Sequence, residues 1–184
     1  MSPRHKANPA ERFESAPIDG PLLEVVDLRT AFHTGRGVAK AVDGVSFSLE
    51  RGKTLGVVGE SGSGKTVLSR SIMGLLPKKN VDRTGSILFE GHEIIDATSD
   101  ELRALWGSQM AMVFQDPMTS LNPVMKIGKQ ITEVLLYHLD ISKSYANELA
   151  LSLLQSVGIP EAERRLSEYP HQMSGGMRQR VMIA

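Results

Sequence analysis

The residues Gly59-Glu60-Ser61-Gly62-Ser63-Gly64-Lys65-Thr66 fit the spacing G-x-x-x-x-G-K-[ST], and that pattern has a mechanical reason. Glycines let successive backbone N–H groups turn inward, and without a Cβ they let the chain approach a polyphosphate closely. A helix beginning near Lys65 adds the positive end of its dipole. Lys65 would then reach the β- and γ-phosphates of a bound polyphosphate, and the Thr66 hydroxyl would ligate a Mg²⁺ that bridges them. The plain alternative is an ordinary Gly/Ser surface loop. Its flanks argue against that, since Leu55, Val57 and Val58 supply a strand before it and Val67, Leu68, Ile72 and Met73 the apolar face of a helix after it.

The elements that must position this loop can be traced along the chain. Residues 1–21 hold Pro3, Pro9, Pro17 and scattered charge with little apolar content, so a flexible leader is expected there. A β-rich segment runs from Leu22 or Leu23 to about His33, turns at Gly35-Arg36-Gly37, and returns over Val38 to Leu49. Val45, Phe47 and Leu49 alternate there with Ser46, Ser48 and Glu50, which makes one face wet and the pairing antiparallel. Gly85 to Phe89 reads as a further strand. Thr98 to Glu101 has the spacing of a capping box before a short helix that buries Leu102, Leu105 and Trp106. Met110 to Phe114 is an apolar run of strand length, expected to be buried on both faces and to deliver Gln115 to its end.

After the loop Asp116 to Pro123 the pattern becomes helical. Ile127, Ile131, Val134, Leu135 and His138 recur at helical spacing, as do Leu149, Leu153, Leu154 and Val157 before Gly158. A subdomain boundary is expected near Leu121. Ser174-Gly175-Gly176 then opens a last helix, Met177 to Ala184.

Composition narrows the function classes. Among 184 residues, basic and acidic side chains number 21 each, so no global field draws nucleic acid or an anionic surface. There is no cysteine, which excludes disulfides, thiolate metal sites and thiol nucleophiles. No apolar run approaches the roughly 18 residues of a membrane span, and no signal-peptide core begins the chain. Five histidines lack ligand spacing, and Asp100-Glu101 belongs to the helix cap.

The phosphate loop, Gln115 after an apolar run, and Ser174-Gly175-Gly176 at a helix head occur in an order that resembles the ATP-binding cassette (ABC) ATPases, over roughly residues 22–184. Phe114-Gln115-Asp116-Pro117-Met118-Thr119-Ser120-Leu121-Asn122-Pro123 and Ser174-Gly175-Gly176-Met177-Arg178-Gln179-Arg180 are similar to ATPase subunits of bacterial oligopeptide, dipeptide and nickel importers. The resemblance implies an α/β P-loop NTPase fold, with an antiparallel β-subdomain and phosphate-loop core over 22–120, a helical subdomain over 121–173, and the start of the signature helix at 174–184. It also implies roles. Ser174, Gly175, Gly176 and Met177 complete the γ-phosphate site of the opposite subunit; the residue-level alternative for Ser174 is a simple N-cap. Gln115, as a catalytic residue, contacts Mg²⁺ or the attacking water; the alternative is a surface glutamine opening a loop. Phe32, 33 residues before Lys65, stacks on adenine; the alternative is a core side chain sharing strand parity with Val26 and Leu28.

Two positions depart from the commoner family pattern, Met173 standing for Leu and Met177 for Gln, and the second is typical of the peptide-importer group. Arg178 and Arg180 either help orient their helix or simply solvate it, and the second is the expectation. In the family an apolar strand ending in Asp-Glu (Walker B and the catalytic Glu) follows the signature helix, with a switch histidine beyond it, and the 184 residues stop before both. Alone, the chain is expected at most to bind nucleotide, with its phosphate-loop strand at an open edge. The implied partners are a second, paralogous ATPase subunit, transmembrane permease subunits and, indirectly, a solute-binding protein, with no nucleic acid. The implied location is peripheral, at the cytoplasmic face of the bacterial inner membrane. A soluble ABC ATPase of DNA repair or translation, or a non-catalytic nucleotide-binding fragment, are the competing readings.

Overall fold

A computed structural model describes residues 20–114 and 120–184. Most of the expected leader, and Gln115, lie outside the described residues. The chain divides into two compact units, Met1–Trp106 and Gly107–Ala184; the boundary expected near Leu121 falls inside the second.

The first unit contains β1 (Leu23–Thr34), β2 (Gly37–Leu49), α1 (Lys65–Ile72), β3 (Val81–Phe89), β4 (His92–Glu93) and α2 (Ser99–Leu105). Its strands form one sheet in the order β2-β1-β3-β4, with every pairing antiparallel. The alternation expected for β2 is present: Val45, Phe47 and Leu49 are half-buried while Ser46 and Ser48 are exposed. β3 begins four residues earlier than the sequence pattern suggested.

A bulge in β1 corrects the parity expected for Val26. Val25 and Leu28 are both in the core, but Val26 is 46% exposed, because the register slips between Val25 and Leu28. Asp27 takes the left-handed conformation, φ 45°, and its freed N–H donates to Ser46 Oγ at 2.8 Å. Opposite the bulge a Cβ on Gly85 would stand 2.5 Å from the Asp27 carbonyl oxygen, at φ +102°, so only glycine fits. Beyond the bulge Leu28 and Thr30 face inward together.

Helix α1 starts on Gly64 in the left-handed conformation. It ends in a Schellman turn, with Leu75 N–H donating to Arg70 O at 2.9 Å and Gly74 N–H to Ser71 O at 3.2 Å. It packs on β1 and β2. Helix α2 has the expected capping box, Thr98 with Glu101.

Two expected strands are not formed. Neither 53–58 nor 110–114 is strand; Leu55, Val57 and Val58 are 44%, 50% and 94% exposed, and Val113 is 53% exposed although Met110 is buried. A strand exists only where a neighbour takes its N–H and C=O groups, and no described strand pairs with either segment. Hydrophobic runs state what a segment would bury, not against what. The buried strand expected to deliver Gln115 is accordingly not seen among the described residues.

The second unit is helical: α3 (Ile127–His138), α4 (Lys143–Ser156), α5 (Ala162–Leu166), a 3₁₀ turn (Pro170–Gln172) and α6 (Gly175–Ile183). Its core gathers Ile127, Leu154, Ile159, Ala162, Met173 and Val181. Ala146 and Ala150 lie fully buried one turn apart on α4, small enough for close helix packing. Ser142 caps α4 by accepting from Tyr145 N–H. At the other end Gly158 (φ +70°) closes it, with Ile159 N–H on Leu154 O at 2.9 Å.

Candidate functional site

The loop Gly59–Thr66 is exposed through Ser63 and half-buried at Gly64 and Lys65. Gly62 and Gly64 hold positive φ, 84° and 91°, the conformations that turn peptide N–H groups to the inside of a loop. Space also requires glycine at 64, where a Cβ would lie 2.2 Å from the Ala41 carbonyl oxygen of β2; a Cβ on Gly59 would lie 2.6 Å from Ser63 Oγ, a side-chain atom that can turn aside. The register of β2 against β1 skips Ala41, between the pairs Thr30–Val42 and Ala31–Lys40, so a strand irregularity brings that carbonyl against the loop.

Lys65 closes over the loop. Its Nζ donates to Gly59 O and Glu60 O, each at 2.7 Å, and lies 3.4 Å from Ser63 Oγ. The ammonium is thus tethered by main-chain oxygens of the loop it follows in sequence. Thr66 is exposed, and α1 has no side-chain N-cap, which leaves the first-turn amides to an outside acceptor. A curled glycine backbone, a single ammonium and an exposed hydroxyl at a helix N-terminus fit a polyphosphate with its accompanying Mg²⁺. Phe32 sits on β1 between Ala39 of β2 and Val81 of β3, half-buried.

In the second unit Ser174 caps α6, accepting from Met177 N–H at 3.3 Å. Gly175 and Gly176 are exposed, and a Cβ on either would meet no atom within 4 Å. Met173 is 4% exposed and Met177 packs partly against the same core, so an apolar side chain at both positions has a packing reason. Arg178 and Arg180 depart from expectation. Arg178 Nε donates to Pro170 O at 2.7 Å and Arg180 Nη1 to Gly158 O at 2.6 Å, so both orient α6 by capturing carbonyls of preceding turns instead of only solvating it.

Glu168 ties α5 together, bonding Arg165 Nη1 at 2.8 Å and Arg164 Nε at 3.1 Å. The Arg165 hydrogen bond holds the Glu168 carboxyl below the ordinary carboxylate range, against the opposing effect of burial. Glu93 in the first unit behaves similarly. Burial pushes its carboxyl up, but donors from the Ser86 hydroxyl and the Ile95, Ile87 and Ile94 amides outweigh that and leave it lowered. Among the described residues no His, Cys, Asp and Glu gather as a metal site. No helix among them is long and apolar enough to cross a membrane. Sequence reasoning passed over Thr30, Ser71 and Arg83, which meet at the far end of α1; no motif marks them, since their partners are backbone carbonyls and buried hydroxyls.

An antiparallel sheet beside a phosphate loop and helix, followed by a helical unit, defines the class: a P-loop ATP-binding cassette. Residues 42–184 match the family model described as ABC transporter, and the chain belongs to that family. It is 52% identical over 164 residues to the oligopeptide transport ATP-binding protein OppD of Bacillus subtilis, covering 89% of this chain and 46% of that protein. Identity to the dipeptide transport ATP-binding protein DppD of Lactococcus lactis is 51% over 164 residues, covering 89% of this chain and 47% of that protein. The chain therefore spans about half the length of the curated relatives it matches. Among solved structures, a dimeric bacterial ABC transporter cassette superposes with a TM-score of 0.77 at 23% identity, covering 88% of this chain and 67% of that one. A post-hydrolysis dimer of the same cassette, bound to ADP and phosphate, gives 0.75.

Proposed function

We propose that this chain is the ATP-binding portion of an ATPase subunit that drives import of peptides or a related solute across a bacterial cytoplasmic membrane. The observation that carries the reading is the Gly59–Thr66 curl, whose left-handed glycines and overlying Lys65 ammonium suit a triphosphate and little else. Identity of about half to oligopeptide and dipeptide transport proteins supplies the solute class.

Within that reading Gly59, Glu60, Ser61, Gly62, Ser63 and Gly64 donate backbone N–H groups to the phosphates. Lys65 exchanges its main-chain oxygens for phosphate oxygens and neutralises their charge. The Thr66 hydroxyl would help hold Mg²⁺, which would supply positive charge against the phosphates. Phe32 stacks against adenine, worth about 1–3 kcal/mol for such a contact. Ser174, Gly175, Gly176 and Met177 face the γ-phosphate of a second, related subunit, and Gln115 serves the metal or the attacking water. Apart from Gln115, the groups assigned here bind, orient and neutralise the phosphates. Closure of two such subunits on ATP moves the permease subunits at the cytoplasmic face, and reopening resets them.

The test uses the full-length subunit. Lys65→Ala is expected to abolish MgATP binding in calorimetry and peptide uptake in proteoliposomes. Unchanged MgATP affinity would sink the reading. Co-purification with ribosomes or DNA in place of permease subunits would transfer it to a soluble ABC protein.

A further inference from the structure

The end of α1 remote from the phosphate loop is gripped by polar side chains from three other places in the first unit. Thr30 of β1 and Ser71 of α1 are fully buried, with their hydroxyl oxygens 2.8 Å apart. Ser71 Oγ donates its proton to Val67 O at 2.8 Å, which leaves Thr30 as the donor between the two hydroxyls. Arg83, directly opposite Thr30 in the β1–β3 register, forks between two main-chain oxygens. Its Nη1 donates to Ser71 O at 2.7 Å and its Nη2 to Ile95 O at 3.0 Å. Trp106 Nε1 donates to Met73 O at 2.9 Å.

Apolar packing would hold α1 against the sheet but leave it free to slide or turn slightly. A guanidinium bonded to the helix end and to a second segment, beside a buried hydroxyl pair, removes both freedoms, and a cation there is favoured by the helix dipole. Burial lowers the affinity of Arg83 for its proton, with Glu93 and Asp96 opposing that effect. The guanidinium stays charged at any physiological pH.

Lys65 and Thr66 precede Ser71 by six and five residues of α1, so they stand only about 8–9 Å along the helix from this anchor. We propose that Arg83 is a positioning residue for the phosphate loop: with Thr30 and Ser71 it sets the axial register of α1, and thereby where the Lys65 ammonium and Thr66 hydroxyl meet MgATP. This rests on the reading of Gly59–Thr66 as the ATP site. The anchor acts through the helix and touches no phosphate itself.

The experiment measures MgATP affinity of the full-length subunit by titration calorimetry, at a temperature where circular dichroism shows each variant folded. Arg83→Met is expected to weaken MgATP on the order of tenfold, a displaced rather than a missing set of donors. Arg83→Lys, able to reach one carbonyl at a time, should fall between it and the parent. Lys65→Ala is the control for the site. If Lys65→Ala abolishes binding while folded Arg83→Met binds within twofold of the parent, the positioning role is wrong and Arg83 is purely structural. If Lys65→Ala binds normally, the ATP-site reading fails instead. Should Arg83→Met not fold, the near-isosteric pair Thr30→Val with Ser71→Ala decides in the same way: severalfold weaker binding supports the anchor, and parental affinity overturns it.

Discussion

In the Gly59–Thr66 loop the chain itself demands its glycines: Gly64 combines a left-handed backbone with a β2 carbonyl where its Cβ would be. At the head of α6 the same residue type stands where nothing in the chain requires it. Gly175 and Gly176 have ordinary φ, open space around them and a place in the first turn of a helix, where each costs about 0.5–1 kcal/mol relative to alanine. The first site is therefore built from within. Under the proposed function the second is half of a site whose other half comes from a second subunit.

Substitutions can break that contrast. The largest effect is expected for Gly64→Ala, which combines positive φ, costing about 1–2 kcal/mol, with overlap on a backbone oxygen that cannot swing away. Chemical denaturation should show a loss of more than about 2 kcal/mol in the first unit. A smaller loss would mean that the β2 carbonyl yields and the loop is less rigidly built. Ser174→Ala comes next, costing about 1 kcal/mol for a lost N-cap. Gly176→Ala should do the reverse and stabilise the helix by roughly 0.5–1 kcal/mol, while ATP hydrolysis by the assembled transporter falls. If hydrolysis is unaffected, nothing approaches that glycine and the outside half of the site is elsewhere.

The smallest effect sharpens the description of the first unit. Because the folded Glu93 carboxyl titrates below its ordinary range, its contribution is fully present above the unfolded value of about 4.3 and is lost as pH falls through the lower folded value. Thermal unfolding of Glu93→Gln should therefore show a shallower acid limb below about pH 4.5 than the parent. Parallel curves would mean that the Ser86 and main-chain donors do not favour the ionised form.

The phosphate loop is legible because its chemistry permits few alternatives: two glycines, one lysine and one hydroxyl must fall at fixed spacing. The hairpin, the Thr98 cap and the helical phases of α3 and α4 were legible because each is a local pattern. The bulge at Asp27 was not, since a one-residue slip looks like unbroken alternation until the partner strand is seen. Leu55, Val57 and Val58 read as strand by composition alone, and pairing is a property of two segments. Arg178 and Arg180 looked like solvated charge because their acceptors, Pro170 O and Gly158 O, carry no signature in sequence. Thr30, Ser71 and Arg83 escaped for the same reason.

All four strands of the sheet come from the first 93 residues of the chain, and β1 pairs with both β2 and β3. As the protein leaves the ribosome, at about 5–20 residues per second, that sheet can close within seconds of its last strand emerging. The stretch holding Leu55, Val57 and Val58 is bracketed by strands already locked together, yet belongs to none of them. It waits, apolar and tethered at both ends, during the period when nascent chains are most prone to stick to one another. Chaperone capture of ribosome-bound intermediates should therefore concentrate on this short connection rather than on the hairpin that surrounds it.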